Sequence, residues 1–583
     1  MRIQPQITVS KKSLNSISKF VTKDRTKITF SFPEGKAPEE TFEVKIQFPY
    51  VDCAGVWHPT CFTNRANNAD WSGPVRSMTA RSAPVLSVFS EDSINRCTIA
   101  LSEAREEILI YAGIHEEDGW FHIRVQFPMA GKHFPALDNI SLLIDTRPVT
   151  FSQALADVTQ WWEEECSLIP AAVPDAARKP MYSTWYNFHQ QFTADLLEKE
   201  CALAVKSGMD TVIVDDGWQT DDVNRGYAYC GDWEVCEKKI PDMKAHVERI
   251  HQLGMKYMLW LSVPFMGIRS KNWTQFSDKL LYYSEEMSAG VLDPRYPNVR
   301  QFLVDTYRNI VNQYGLDGLK LDFIDSFVAK ADTPDYQEGM DFTDVQPALD
   351  CLMTQVAQAL TAQKPGFLIE FRQNYIGPNM RKYGNMFRVS DCPNSALRNR
   401  IGIADLRLLS GSTAVHSDPL MWNPADRPEE ISLQLISSIF ATVQVSTLME
   451  RLSASQKKCL DFWLDFMIRN RKLLQESPLE AKEPHNLYPL IEASDGKNII
   501  AAVYTQDRVV EVPDACDRMT VLNGSKGRWF YLSLPHERKC RVRISDCCGK
   551  VILDEEQTLP AGVCRLAATV GGVLELILTC DKK

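Results

Sequence analysis

The chain has 583 residues, enough for more than one domain, because a single hydrophobic core stops growing at roughly 250–300 residues. Its 64 basic and 75 acidic side chains leave a formal charge of −11, which excludes a global positive field for nucleic acid or an anionic membrane and points to a neutral partner. No run of about 18 apolar residues occurs that could cross a bilayer, and the opening MRIQPQITVSKKSLNS lacks the apolar stretch of a secretory signal, so a cytoplasmic protein is expected.

Residues 1–165 read as an N-terminal β-sandwich domain with a connecting helix. Short β-type runs at 27–32, 41–48 and 121–127 alternate with turn residues, and a Trp- and Glu-rich helical stretch follows at 152–166. Pro170, Pro174 and Pro180 punctuate a linker at 166–180. From 181 to 477 the pattern changes to alternating strand and helix. Strands are expected at 181–187, 211–216, 256–262, 318–324, 366–371, 385–391, 412–417 and, weakly, 439–445. A helix at 193–207 has Thr193 as N-cap and Gly208 as its stop, and another at 299–314 ends at Gly315. Eight alternations without a glycine-rich phosphate turn fit a (β/α)8 barrel better than an open doubly wound sheet. A helical stretch at 455–474 leads into β-type runs over 478–583, a C-terminal antiparallel β-sandwich domain. The sixteen cysteines are scattered and read as mostly buried free thiols, with Cys547-Cys548, Cys564 and Cys580 left open as a local exception.

In such a barrel the chemistry sits where strands run out into the following loops. Those ends carry Asp215-Asp216-Gly217-Trp218 on the second strand, Lys320-Leu-Asp322 and Asp325 on the fourth, and Glu370-Phe-Arg372 on the fifth. Arg388 and Asp391 follow on the sixth, and His416-Ser417-Asp418 on the seventh. Hydrolysis of a glycosidic bond with retention needs two carboxyl groups about 5–5.5 Å apart, one to attack the anomeric carbon and one to protonate the departing oxygen. Asp322 suits the first role, because Lys320 two residues earlier shares its face and favours the ionised form. Asp391 suits the second, because an apolar and aromatic segment and a neighbouring carboxylate are expected to raise its pKa.

These residues resemble glycoside hydrolase family 36, the melibiase-like α-galactosidases. Trp185, Asp215-Asp216-Gly217-Trp218, Gly231-Asp232-Trp233, Gly318-Leu-Lys320-Leu-Asp322 and Ser390-Asp391 match in order, at a spacing close to the family's. The resemblance implies that Asp215 and Asp216 bind the C4 and C6 hydroxyls, that Lys320 reaches those at C3 and C4, and that Trp185, Trp218 and Trp233 wall the pocket. Glu370, Arg372, Gln373, Asn374 and Arg388 complete the expected sugar-contacting set. The partner implied is a small oligosaccharide or glycoside, with no cofactor or metal, and self-association stays open.

The sequence also departs from the family. Leu321 stands where members carry Trp, Met287 replaces an Arg, and Pro264-Phe265-Met266 replaces Pro-Glu-Met. The small-residue Cys-Ser-Gly-Gly-Gly-Arg loop after the fifth strand is replaced by Arg372-Gln373-Asn374-Tyr375. That loop reads the sugar around its 2-hydroxyl, so the bulky replacements are expected to reshape the −1 pocket or the aglycone site. A terminal α-galactoside is the first expectation. Retaining hydrolysis of an α-N-acetylgalactosaminide, β-L-arabinopyranoside, α-xyloside or α-glucoside, and transfer to an acceptor other than water, stay open. So do a metal-dependent lyase or hydrolase using Asp215, Asp216, Asp322, Asp325 and Glu370, and a non-catalytic glycan-binding barrel.

Overall fold

The computed structural model describes residues 4–10, 14, 16–31, 41–128, 139–372 and 375–578. Phe32, Gln373, Asn374 and Cys580 lie outside the described residues. The architecture is a parallel eight-stranded barrel with mainly antiparallel sheets at both ends of the chain; in the C-terminal ones Asn498–Val503 runs parallel to Arg518–Asn523 and Val509–Glu511 parallel to Trp529–Leu534. At the N-terminal end a five-stranded and a six-stranded sheet enclose one core that includes Ile28, Phe30, Val44, Ile46, Ile123 and Ile144. The helix Phe151–Glu164, capped by the Thr150 side chain, follows it. At the C-terminal end a seven-stranded and a three-stranded sheet share a second core around Val521, Val542 and Leu574. Every described cysteine is a free thiol; the Cys547 and Cys548 sulfurs are 3.9 Å apart.

The barrel strands are β1 (Met181–Ser183), β2 (Thr211–Val214), β3 (Lys256–Ser262) and β4 (Gly318–Asp322). They continue as β5 (Leu368–Arg372), β6 (Met386–Arg388), β7 (Ala414–His416) and β8 (Gln444–Val445). From β1 to β7 each pairs in parallel with the next, β8 pairs in parallel with β1, and only the isolated bridges His416 to Thr442 and Leu420 to Val445 join the β8 segment to the β7 side. Several strands are shorter than the sequence suggests. The run expected as strand over 181–187 turns into a helical turn at Trp185–Phe188, and the weak eighth strand is only two residues long.

The helix α1 (Ala194–Ala204) has its N-cap at Thr193 and is followed by Gly208 at φ +89°. The helix α2 (Pro297–Tyr314) starts on proline and stops at Gly315, φ +71°. Both give their apolar faces to the barrel's outer wall, where the outward set Val212, Val214, Leu259, Leu261, Leu319, Leu321, Ile369 and Phe371 belongs to the main core. The alternate residues point inward. At the N-terminal end of the strands the inward set is Met181, Ile213, Met258, Leu368, Met386 and Ala414, a separate apolar cluster closed from below by Ala176 and Ala177 of the preceding segment. Gly318 belongs to this layer. A Cβ there would lie 2.6 Å from the Leu368 side chain and 2.8 Å from Met258, so only glycine leaves room for both.

Candidate active site

Two residues further along each strand the same inward face becomes polar. Parallel register sets Trp260 beside Lys320 and Ser262 beside Asp322, Lys320 beside Glu370, Arg372 beside Arg388, and Arg388 beside His416. The strands thereby deliver a ring of alternating charge to the mouth of the barrel.

Asp322 is buried, 6 % exposed, and surrounded by donors. Its Oδ2 accepts the Trp260 indole N–H at 2.8 Å. Its Oδ1 accepts the Phe323 backbone N–H at 2.7 Å, the Tyr375 hydroxyl at 3.2 Å, and the guanidinium of Arg372 in an ion pair. Burial pushes this carboxyl up, but Arg372, Lys320 and the Trp260 N–H outweigh it and hold the group below the usual range. The backbone turns sharply just beyond, with the non-glycine Phe323 at φ +62°, a conformation the surrounding structure must impose. The Arg372 guanidinium lies 4.5 Å over the Phe323 ring.

Asp391, beyond β6, is more open. Arg388 donates to its Oδ1 at 2.8 Å, and Arg372 stands 3.8 Å from its Oδ2, so one guanidinium reaches both candidate carboxylates. The expected upward pKa shift is not what the structure has. Burial does push the group up, yet Arg388, Lys320 and Arg372 together pull it down to about 2. The reason is cross-strand: the apolar sequence around Asp391 is less important than the cations that β4, β5 and β6 aim at it.

Lys320 donates to Asp215 Oδ2 at 2.5 Å, and the Asp215 backbone N–H donates to the Thr184 hydroxyl. Asp216 accepts from Gln190 at 2.7 Å and Gln219 at 2.8 Å, and burial pushes it up to about 6 against the Gln219 bond. Trp218 is fully buried, gives its N–H to the Trp260 carbonyl, and stacks on Trp233, which meets Trp260 edge-on. These indoles form a layer behind Asp322; Trp185 alone of the three expected wall residues is part-exposed.

Glu370 and Arg388 are turned toward one another and their neighbours. Arg388 pairs with Asp418 and Asp391 and approaches Glu370 at 3.9 Å. Glu370 is met by Gln444, and His416, held down at about 4 by burial, accepts from Gln444 on Nδ1 and donates from Nε2 to the Ala177 carbonyl. Both residues are buried, and the Glu370 Oε1 and Arg388 Nε that face one another have no hydrogen-bond partner among the described residues. Asp418 accepts the Tyr186 hydroxyl at 2.8 Å and the Cys392 backbone N–H at 2.7 Å, and burial, opposed by Arg388, pushes it up to about 6.

The sequence reading missed Trp260, Tyr186, Gln190 and Gln219. Only Trp260 had an available signal: it stands two residues before Ser262 on β3, on the face that register places beside Lys320. The carboxylates named for a metal-dependent alternative are spread among Lys320, Arg372 and Arg388. Among the described residues, the side chains that could share a metal ion are His115 and His122, on paired strands of the N-terminal five-stranded sheet, and Asp70 in a turn beside them.

The sequence profile of the Melibiase family matches residues 149–384. Alpha-galactosidase Mel36A of Lactobacillus acidophilus is 26 % identical over 175 residues, 28 % of this chain and 24 % of that protein. Alpha-galactosidase AgaA of Geobacillus stearothermophilus is 24 % identical over 180 residues, 29 % of this chain and 24 % of that one. The matched segment therefore spans about a quarter of the length of these curated relatives. Among solved structures, the alpha-galactosidase from Lactobacillus brevis superposes at a TM-score of 0.64 and 13 % identity, over 100 % of this chain and 86 % of that one. AgaA in complex with stachyose superposes at 0.63 and 13 % identity, over 99 % and 87 %. At that identity the likeness is one of fold.

Proposed function

We propose, from the premise that the chain belongs to the melibiase family through residues 149–384, that it is a retaining exo-acting α-glycosidase whose substrate ends in an α-galactosyl residue. The observation that carries the reading is the pair of carboxylates at the ends of β4 and β6, both within reach of one guanidinium at the same end of the barrel. In the first half-reaction an Asp322 oxygen attacks the anomeric carbon, the bond to the glycosidic oxygen breaks, and Asp391 gives that oxygen its proton. The aglycone leaves as an alcohol and the sugar stays as an ester on Asp322. In the second, Asp391 takes a proton from water, whose oxygen attacks the same carbon and restores the Asp322 carboxylate.

The surroundings suit the role of Asp322, whereas Asp391, held down by Arg388, Lys320 and Arg372, has to gain its proton when substrate displaces part of that charge. An ionised, anchored Asp322 is a nucleophile held in one orientation by Trp260 and its own backbone. Lys320, Asp215 and Asp216 offer an ammonium and two carboxylates to sugar hydroxyls, and Trp185 an apolar face. The galactose assignment comes from the relatives, which are named for α-galactosidase activity; one is described with stachyose bound.

A panel of p-nitrophenyl glycosides tests it. The α-galactoside should be cleaved fastest, and Asp322→Ala should lose about 10⁴-fold or more in kcat. Azide should rescue that variant by forming the galactosyl azide of inverted configuration. Hydrolysis undiminished in Asp322→Ala would remove Asp322 from the mechanism, and a faster turnover of another glycoside would replace galactose.

A further inference from the structure

We propose that Arg372 is the specificity-determining latch of this site: it rests on Asp322 and must pass to Asp325 before a glycoside can be attacked, so substrates with few contacts beyond the −1 sugar are disfavoured. The inference rests on the glycosidase reading above and concerns what admits substrate to that site.

Both oxygens of Asp322 are occupied. Oδ2 holds the Trp260 N–H, and Oδ1 receives three donors, from Phe323, Tyr375 and Arg372, although a carboxylate oxygen has two lone pairs. Oδ2, with one donor, keeps a lone pair for attack, but the Arg372 guanidinium, seated on Asp322 and 3.8 Å from Asp391, fills the space between the two carboxylates that the anomeric carbon must enter to come within about 3–3.5 Å of the attacking oxygen, so it has to leave. The Phe323 amide belongs to the neighbouring residue's backbone. Tyr375 is 1 % exposed and fixed in the wall. Arg372 is the flexible one, its side chain 14 % exposed.

A buried guanidinium cannot be left without a counter-ion, and Asp325 is placed to receive it. Asp325 follows on the same turn, Ile324–Ser326, where its carboxylate is met by its own backbone N–H and is the seat of no ion pair among the described residues; the charges of Arg372 and, more weakly, Arg81 already act on it. Phe323 stands between the two aspartates in sequence, and its ring, 4.5 Å beneath the guanidinium, is a surface over which Arg372 can swing. Leaving Asp322 also withdraws a cation from Asp391, the group that must carry a proton. Binding energy from the rest of the substrate drives the exchange. A small glycoside has little to contribute, and its apparent affinity falls by the fraction of molecules in which the latch is open.

The test is the rate at which 5-fluoro-α-D-galactosyl fluoride labels Asp322, followed by peptide mass in the full-length chain, where fluoride leaves as the Asp322 ester forms. Arg372→Met keeps the stem over Phe323 and removes the charge; it should label at least about tenfold faster than wild type. Asp325→Asn should slow labelling in the wild-type background and change nothing in the Arg372→Met background, a dependence that a merely structural Asp325 would not show. The Arg372→Met gain in kcat/KM should also be larger for methyl α-galactoside than for raffinose. Equal or slower labelling of Arg372→Met, or an Asp325→Asn effect that is the same in both backgrounds, overturns the latch while leaving the glycosidase reading in place. Absence of a label in every variant overturns both.

Discussion

The lower and upper halves of the barrel interior are made from the same strands, two residues apart, and are chemical opposites. Below, Ile213, Met258, Leu368 and Met386 fill the space with hydrocarbon around Gly318. Above, Trp260, Lys320, Asp322, Glu370, Arg372, Arg388 and His416 fill it with charge and hydrogen bonds. The lower layer is stabilised by burial and holds the strands in register. The upper layer spends part of that stability on desolvated ions that chemistry requires. A strand that changes character within two residues thus positions a carboxylate on a rigid base.

That contrast can be broken most severely from above. Arg388→Met leaves Asp418, Asp391 and Glu370 without their shared cation, and should destabilise the fold by about 3–5 kcal/mol. The loss should be largest at alkaline pH, because Asp418, already pushed up to about 6, moves further up. A carboxyl whose folded pKa exceeds its unfolded one contributes stability below the unfolded pKa that is lost as pH rises through the folded one. Urea denaturation at pH 5 and pH 8 reads both effects; a loss independent of pH contradicts the ion network. From below, Gly318→Ala forces a methyl against Leu368 and Met258 and should cost about 1–3 kcal/mol in the same assay.

Two smaller effects sharpen the comparison. Asp216, pushed up to about 6 by burial, should make wild-type stability fall by about 1 kcal/mol between pH 5 and pH 7.5. In Asp216→Asn that part of the slope should vanish, and an unchanged slope would mean that Asp216 titrates normally. Ile213→Val, in the lower layer, should cost about 1 kcal/mol and leave kcat/KM for an aryl α-galactoside unaltered, since its deleted methyl faces only Met258 and its apolar neighbours. A change in kcat/KM there would mean that the two layers are coupled.

The lower layer and the outer wall were legible in the sequence because apolar residues repeat with the strand and helix periods. Asp322 was legible with Lys320, since alternation alone puts them on one face. What escaped is what depends on neighbouring strands. Trp260 reaches Asp322 only because β3 pairs in register with β4; alternation with Ser262 puts it on the inward face but does not show that contact. The acidity of Asp391 was misjudged because its neighbours in sequence are apolar, while those in space are Arg388, Lys320 and Arg372. Trp185 was read as the end of a strand, yet the chain leaves β1 at Ser183 and Trp185 opens a helical turn. Arg372 was legible as a bulky replacement in a loop of small residues, but its seat on Asp322 was not, because nothing local says where a long side chain folds.

The stereochemistry of the first sugar released tests the central claim most directly. Proton NMR during hydrolysis of p-nitrophenyl α-D-galactopyranoside should show α-galactose appearing first, with the β-anomer growing in only by mutarotation, as attack by Asp322 followed by attack of water requires. If β-galactose appears first, a single displacement by water has occurred, and the assignment of Asp322 as nucleophile is wrong.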